Sequence, residues 1–350
     1  MQQGLTTVHA SDTTEQVPAT ASKFNYIFTS SIMSALARRI EKIAVYPRIP
    51  VLITGETGVG KEAAARYLYQ KTRFVNNRNG PFLKVNVSGI PDSLFEDQLF
   101  GHEQGAFTDA KTLSRGLLEQ TQRGAVFLDE IAELTWVNQV KLLNFLDDYK
   151  IRRLSGTKDI AVDARVISAT NAELPTLVAQ KKFREDLYYR LTGYTLVIPP
   201  LREHLDDIPF LVAEFIQKIN HENRCEVSFK ASDNVIKLLR MHSWPGNVRE
   251  LYHAVERAVL NCDGEKLTPE DFELQQPIPK SEPQKEEWLG SDRHVNLIVE
   301  EHILAVMRKY QGNVTRASGI LGYSRHGLSN KLSRIMMRRA EAGQNDTSNE

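Results

Sequence analysis

Two cysteines, Cys225 and Cys262, are all that the 350 residues contain, and neither stands in a CxxC pair. That argues against a disulfide-stapled scaffold or a zinc ribbon and predicts reduced, structural thiols. No apolar run approaches the roughly 18 residues needed to cross a bilayer, so a soluble, cytoplasmic chain with no membrane partner is expected. The opening stretch "MQQGLTTVHASDTTEQVPATASK" has no apolar core, which excludes a signal peptide and predicts a disordered leader over residues 1–23. Net charge is missing too: 44 Lys and Arg balance 44 Asp and Glu. The balance conceals an asymmetry. Between Arg293 and Arg339, nine Lys or Arg face only Glu300 and Glu301, a surplus of seven, so the other segments together carry minus seven. A basic C-terminal segment predicts a polyanionic partner for that end alone.

What is present is an ordinary globular composition, 41% hydrophobic and 25% charged, in a chain long enough for two or three domains. No internal repeat is visible. Five short apolar runs read as strands: "IPVLITG" (49–55), "PFLKVNV" (81–87), "GAVFLD" (124–129), "ARVISAT" (164–170) and "YTLVIPP" (194–200). Between them "KEAAARYLYQK" and "WVNQVKLLNFLDD" have helical spacing, with Val140, Leu143 and Leu146 at every third position. Strands alternating with helices predict an α/β domain over 24–200, its mainly parallel sheet covered on both faces. From 201 to 273 strand signals vanish and an all-helical lid is expected. Residues 274–292, rich in Pro and charge, read as a linker. A helical module over 293–339 and a frayed polar tail over 340–350 complete the organisation.

"GETGVGK", from Gly55 through Glu56, Thr57, Gly58, Val59 and Gly60 to Lys61, follows an apolar strand and opens a helix. The spacing lets backbone N–H groups curl around phosphates, and Lys61 neutralises the β- and γ-phosphate charge. ATP with Mg²⁺ is the expected ligand. Glu62 stands where Ser or Thr usually holds the metal, so coordination must lean on a carboxylate elsewhere. "GAVFLDE" supplies one: Asp129 to hold Mg²⁺ and Glu130 to polarise a water. Between these motifs lies "GHEQGAFTDAK", in which Gly105, Ala106, Asp109 and Ala110 surround Phe107 and Thr108. Small residues give such a loop little to anchor it, so it reads as a mobile tip from which Phe107 projects toward a partner.

GAFTDA between a phosphate loop and a DE pair resembles the AAA+ domain of bacterial enhancer-binding proteins, the activators of sigma-54 RNA polymerase. The resemblance covers residues 25–273 and the C-terminal module. It implies an AAA+ P-loop fold with a helical lid, ATP hydrolysis, and a loop (Gly105–Ala110) that engages the sigma-54 holoenzyme. It also implies assembly into a ring, a hexamer in the family, whose phosphate loop reads GKE as here. The family's loop is usually GAFTGA; Asp109 replaces its second glycine. Asn86 in "VNVS" matches the asparagine that restrains the catalytic glutamate. Asn171 in "SATN" matches sensor I, and Arg249 in "WPGNVREL" matches sensor II, reaching the phosphates from the lid. "FREDLYYRL" matches the arginine-finger segment, with Arg184 and Arg190 as candidates; a spacing of six places them roughly 120° apart if both are helical.

"GNVTRASGILGYSRHGLSNKLSRI" (312–335) reads as helix, turn, helix, with Gly322 at the turn and Ser324 capping the second helix. Leu328 and Leu332 lie four apart on its inner face, leaving Ser324, Arg325, His326, Ser329, Asn330 and Lys331 for phosphate and base-edge contacts with double-stranded enhancer DNA. A basic hairpin that binds protein is the alternative on composition. The pattern resembles the Fis-type helix-turn-helix that ends most enhancer-binding proteins. With only a polar leader before the ATPase segment, the chain is similar to the receiver-less members, the phage-shock and Hrp types, and control by a partner protein, a co-activator or abundance is expected. The reading is thus an ATP-hydrolysing activator of sigma-54 transcription. One other stays open, a DNA-binding regulator of the same descent that acts without sigma-54 and uses its AAA+ domain for assembly; the terminal helix-turn-helix and the phenylalanine loop argue against a third class, a remodelling motor.

Overall fold

The computed structural model describes residues 29–108, 110–223, 230–262, 264, 266–274, 295–310 and 312–345. The chain divides between Pro277 and Ile278 into two compact units.

In the first unit the five expected strands form one sheet: β1 (Val51–Thr54), β2 (Phe82–Asn86), β3 (Ala125–Asp129), β4 (Arg165–Thr170) and β5 (Tyr194–Val197). All pairs are parallel and the order is β2-β3-β4-β1-β5. Successive side chains of a strand point to opposite faces, and the sequence supplies an apolar residue to each. Leu52, Leu83, Val85, Val126, Leu128 and Val166 pack one face against Asp92–Phe100, Trp136–Asp148 and Glu185–Leu191. Val51, Ile53, Phe127, Ile167, Ala169 and Leu196 pack the other against Ser31–Ala44 and Lys61–Asn76. Burial on both faces is why these strands read as continuous apolar runs. The face of Trp136–Asp148 differs from the expected one: Leu142, Phe145 and Leu146 are its buried apolar residues, joined by Asn138 and Gln139. Gln139 is tolerated there because its Nε2 donates to the Leu134 and Lys182 carbonyls.

A third core centres on the fully buried Trp244, whose Nε1 donates to Leu239 O at 2.7 Å. Around it pack the helices Ile208–Asn223, Asp233–Met241 and Asn247–Asn261. The expected all-helical lid also contains a short strand pair: Lys230–Ala231 pairs in parallel with Lys266–Leu267. Two residues are too few to show an alternating pattern.

The second unit contains helices Val295–Lys309, Val314–Leu321 and Arg325–Asn345 around Ile303, Val306, Ala317, Leu328 and Ile335. Gly322 ends the middle helix with φ of 70°, and the Ser324 hydroxyl accepts from the Gly327 N–H at 3.1 Å, as the sequence predicts. The last helix runs to Asn345, past the tail boundary expected at 340, because Arg, Ala and Glu after residue 337 are strong helix formers.

Candidate functional site

The phosphate loop leaves β1 and is anchored by Val59, which is buried in the core shared with Lys61–Asn76. Gly58 has φ of 80°, and a β-carbon there would lie 2.2 Å from Gly246 O, so only glycine lets the lid approach so closely. Lys61 is buried at the start of its helix, with Nζ donating to Gly55 O (3.0 Å) and Glu56 O (3.2 Å). Burial pushes its ammonium pKa below the ordinary value, against the opposing pull of the Glu130 and Asp129 carboxylates. Both acids therefore lie within electrostatic reach of the cation.

Parallel register puts Asn86, the end of β2, beside Asp129, the end of β3. Glu130 follows in a left-handed conformation, φ 54°. Asn86 Oδ1 accepts from Ser88 Oγ at 2.9 Å, which leaves its Nδ2 as the group that would restrain Glu130. Asn171, just past β4, donates Nδ2 to Thr57 Oγ1 at 2.9 Å and so joins the sheet end to the phosphate loop. Glu62 is held by Lys84 Nζ at 2.6 Å and by Arg66 at 2.7 Å. Burial raises the Glu62 pKa, but these cations outweigh it and hold the carboxyl below its usual value.

The lid closes the other side. Arg249 donates its backbone N–H to Gly58 O at 3.2 Å, and its side chain is exposed. Sequence reasoning missed two neighbours. Arg202 grips Glu56 with both terminal nitrogens, at 2.7 and 2.9 Å. Asn247, fully buried with φ 54°, donates to Glu56 Oε2 (3.1 Å) and Thr57 O (3.0 Å) while accepting from the Leu201 N–H (2.9 Å). Lys84 was missed as well; the signal for it was a lone charge inside an apolar strand. Among the described residues, no cluster of three or more His, Cys, Asp or Glu could hold a metal by itself. Asp129, whose side chain keeps 21% of its surface exposed, is a carboxylate that would hold a divalent cation jointly with phosphate oxygens.

The two arginine candidates do not share a helix. The helix is Glu185–Leu191, and Arg184 is its N-cap with extended backbone, so the expected 120° separation does not apply. Arg184 forks onto Asp186 (2.7 and 3.0 Å) and lies 5.3 Å over the Trp136 ring. Arg190 donates to the carbonyls of Leu146 and Asp147, both at 2.8 Å, completing the C-terminus of Trp136–Asp148.

The aromatic loop is better anchored than its small residues suggest. His102, in a short antiparallel pair with Ser114–Arg115, bridges Asp97 through Nδ1 (2.5 Å) and Thr112 O through Nε2 (3.1 Å). The Gly105 N–H donates to Ala110 O at 2.8 Å, the Ala110 N–H donates to Phe107 O at 3.0 Å, and Ala110 is buried. The ends expected to be flexible are thus tied together. Phe107 and Thr108 form the exposed tip; Ala106 is half-buried, and Asp109 lies outside the described residues.

In the second unit Arg325, His326, Ser329, Asn330 and Lys331 are all exposed, while Leu328 is buried and Leu332 half-buried against the core. Lys331 folds back on Tyr323: its Nζ donates to the Tyr323 hydroxyl at 2.8 Å and lies 4.6 Å from that ring's centroid.

Known families match along the chain: the sigma-54 interaction domain over residues 26–197, the AAA+ ATPase lid domain over 202–287, and bacterial regulatory proteins of the Fis family over 300–334. The regulatory protein AtoC of Escherichia coli K12 is 39% identical over 91% of this chain and 69% of its own. The transcriptional regulatory protein ZraR of the same strain is 36% identical over 95% of this chain and 74% of its own. The DNA-binding transcriptional regulator NtrC of Rhizobium meliloti is 36% identical, over 81% of this chain and 64% of its own. Among solved structures, NtrX from Brucella abortus in complex with ATP is similar, with TM-score 0.62 and 30% identity over 89% of this chain and 69% of that one.

Proposed function

This chain belongs to the sigma-54-dependent transcriptional regulators, with the AAA+ ATPase domain, lid and Fis-type DNA-binding module of that family, and we propose that it hydrolyses ATP to remodel sigma-54 RNA polymerase from upstream enhancer sites. The observation that carries the reading is the convergence of Lys61, the adjacent Asp129 and Glu130, and Asn171 on one end of the sheet, from three separate segments, with the lid closed on the same loop. That NtrX was solved with ATP supports nucleotide as the ligand.

Each residue has a distinct task. The loop of Gly55–Gly60 wraps the phosphates with N–H groups and Lys61 neutralises them. Asp129 would hold Mg²⁺, which when bound would supply further neutralisation of phosphate charge. Glu130 accepts a proton from the attacking water, and Asn171 and Arg249 report the γ-phosphate from the sheet and the lid. An arginine of a second copy in the ring, Arg184 or Arg190, completes the charge stabilisation in trans.

Hydrolysis reaches the loop through a short physical route. The Ile131–Glu133 turn after Glu130 touches the Val87–Gly89 turn after Asn86. Val87–Gly89 leads into Asp92–Phe100, whose Asp92 Oδ1 accepts from Thr135 Oγ1 (3.1 Å) and Asn138 Nδ2 (3.0 Å). That helix ends directly at Gly101 and the Phe107 loop. Loss of the γ-phosphate thus moves the turn beside Glu130, and the helix carries the displacement to Phe107 and Thr108. Arg325, His326, Ser329, Asn330 and Lys331 hold the assembly on DNA. The experiment is a promoter assay with sigma-54 holoenzyme: open complexes should require this protein, its binding sites and hydrolysable ATP. Activation supported equally by a non-hydrolysable analogue would reject ATP turnover as the driving step.

A further inference from the structure

We propose that Lys84 is a positioning residue of the nucleotide site, an internal cation beside Asp129 that sets how much Mg²⁺ the bound nucleotide requires. The inference rests on the nucleotide-site reading and adds to it a residue outside the motifs.

Lys84 lies in the middle of β2, where its neighbours Leu83 and Val85 are buried in one core and Phe82 in the other. A charge there has to reach out of the sheet or find a partner. It finds two acids. Nζ is 2.6 Å from Glu62 Oε2 and 3.6 Å from Asp129 Oδ2, so one ammonium lies between the residue after the loop lysine and the carboxylate suited to metal. The two contacts are unequal in kind. Glu62 is engaged by cations on both oxygens, because Oε1 takes both Nε and Nη2 of Arg66, whose guanidinium also lies 4.9 Å over the Phe82 ring. That accounts for a glutamate where a hydroxyl residue usually ligates: its oxygens are engaged by fixed cations. Asp129, at 3.6 Å, is beyond hydrogen-bond distance of Nζ. Its charge is partly balanced while its lone pairs remain open to a metal.

An ammonium at that distance and a divalent cation on Asp129 repel each other, and Glu62 decides how far Lys84 is drawn away. The two acids therefore have opposite effects. Removing Lys84 leaves Asp129 unbalanced and attracts the divalent ion. Removing the charge of Glu62 frees Lys84 to close on Asp129 and opposes the ion.

The test is ADP affinity of the full chain, titrated with MgCl₂ from EDTA-treated protein, with thermal unfolding as a check on folding. Lys84→Met should lower the Mg²⁺ concentration at half-effect by about tenfold, the size expected for losing one nearby like charge in a partly solvated site. Glu62→Gln should raise it, and Lys84→Arg should leave it close to wild type. A lysine that merely stabilised the strand would change unfolding temperature and leave every midpoint in place; unmoved midpoints in both Lys84→Met and Glu62→Gln overturn the proposal. If Lys84→Met fails to fold, the upward shift in Glu62→Gln decides alone. Wild-type protein that binds no ADP at any Mg²⁺ concentration would instead refute the nucleotide site, and with it the role of Lys84.

Discussion

The imidazole of His102 stands edge-on to the ring of Phe107, with centroids 4.9 Å apart and planes at 67°. His102 is in turn fixed by Asp97, on the helix that leads back toward the ATPase site. The aromatic tip is therefore tied through His102 to that helix. Phe107 is still 46% exposed, and an aromatic pair of this kind contributes only about 0.5–1.5 kcal/mol.

Phe107→Ala should accordingly leave ATP turnover and assembly intact and lower the unfolding temperature only slightly, yet abolish activation. Parallel ATPase, sedimentation and transcription assays on one preparation check this. Full activation by the variant would leave the loop without a partner.

Lys61→Ala and Glu130→Ala should fail at different steps. Lys61 is the buried cation of the loop, so its loss removes nucleotide affinity. Glu130 is assigned to the attacking water and not to the phosphates, so its loss should preserve ATP binding and reduce hydrolysis at least about a hundredfold, the usual scale for a general base. Equilibrium binding and single-turnover hydrolysis separate the two, and normal turnover in either variant contradicts the assignment.

Subunit mixing tests the arginines. Arg190→Ala combined with Lys61→Ala should recover measurable hydrolysis in mixed rings, because one copy supplies the finger and the other an intact loop. Arg190 must first release the Leu146 and Asp147 carbonyls, and Arg184 must release Asp186. Rescue with Arg184→Ala in place of Arg190→Ala would move the finger to Arg184. Absence of rescue with both, in rings shown to be mixed, would contradict action in trans.

Asp207 ties the segment before the first helix to the lid. Its carboxylate accepts from Thr29 Oγ1 (2.7 Å), the Ser30 N–H (2.7 Å) and Ser30 Oγ (2.8 Å), with His204 Nδ1 at 2.9 Å. Burial opposes ionisation, but these hydrogen bonds and the nearby His204 outweigh it and hold the pKa below the ordinary value. A carboxyl depressed in the folded state stabilises fully above its unfolded pKa of about 3.9 and loses that contribution as pH falls through the folded value. Asp207→Asn should cost about 1–3 kcal/mol near neutrality. The gap to wild type should narrow below about pH 4, which chemical denaturation across pH will reveal. A gap independent of pH down to complete acid unfolding would contradict an ionised Asp207.

Much of this was legible in sequence, for physical reasons. Strands buried on both faces must be continuous apolar runs, so β1 to β5 could be read directly. The loop from Gly55 to Lys61, and Asp129 with Glu130, are local in the chain and their spacing carries the chemistry. What stayed hidden depends on contacts between distant residues. The anchoring of the aromatic loop needs Ala110 buried and Asp97 beside His102. Asn247 acts through a left-handed backbone that brings it under Glu56 and Thr57. Arg190 caps a helix 43 residues away in sequence, which its own segment gives no hint of. The third-residue repeat in Trp136–Asp148 misled because two amides, Asn138 and Gln139, occupy its buried face.

The central claim is that ATP hydrolysis at this site moves the Phe107 loop against sigma-54. The most direct measurement is promoter melting by purified sigma-54 holoenzyme, followed by permanganate reactivity of unstacked thymines around the start site. Wild-type protein with ATP should open the promoter, while the same protein with a non-hydrolysable analogue, and Phe107→Ala with ATP, should leave it closed. Opening by Phe107→Ala at the wild-type rate, or by the wild type without hydrolysis, would contradict the account.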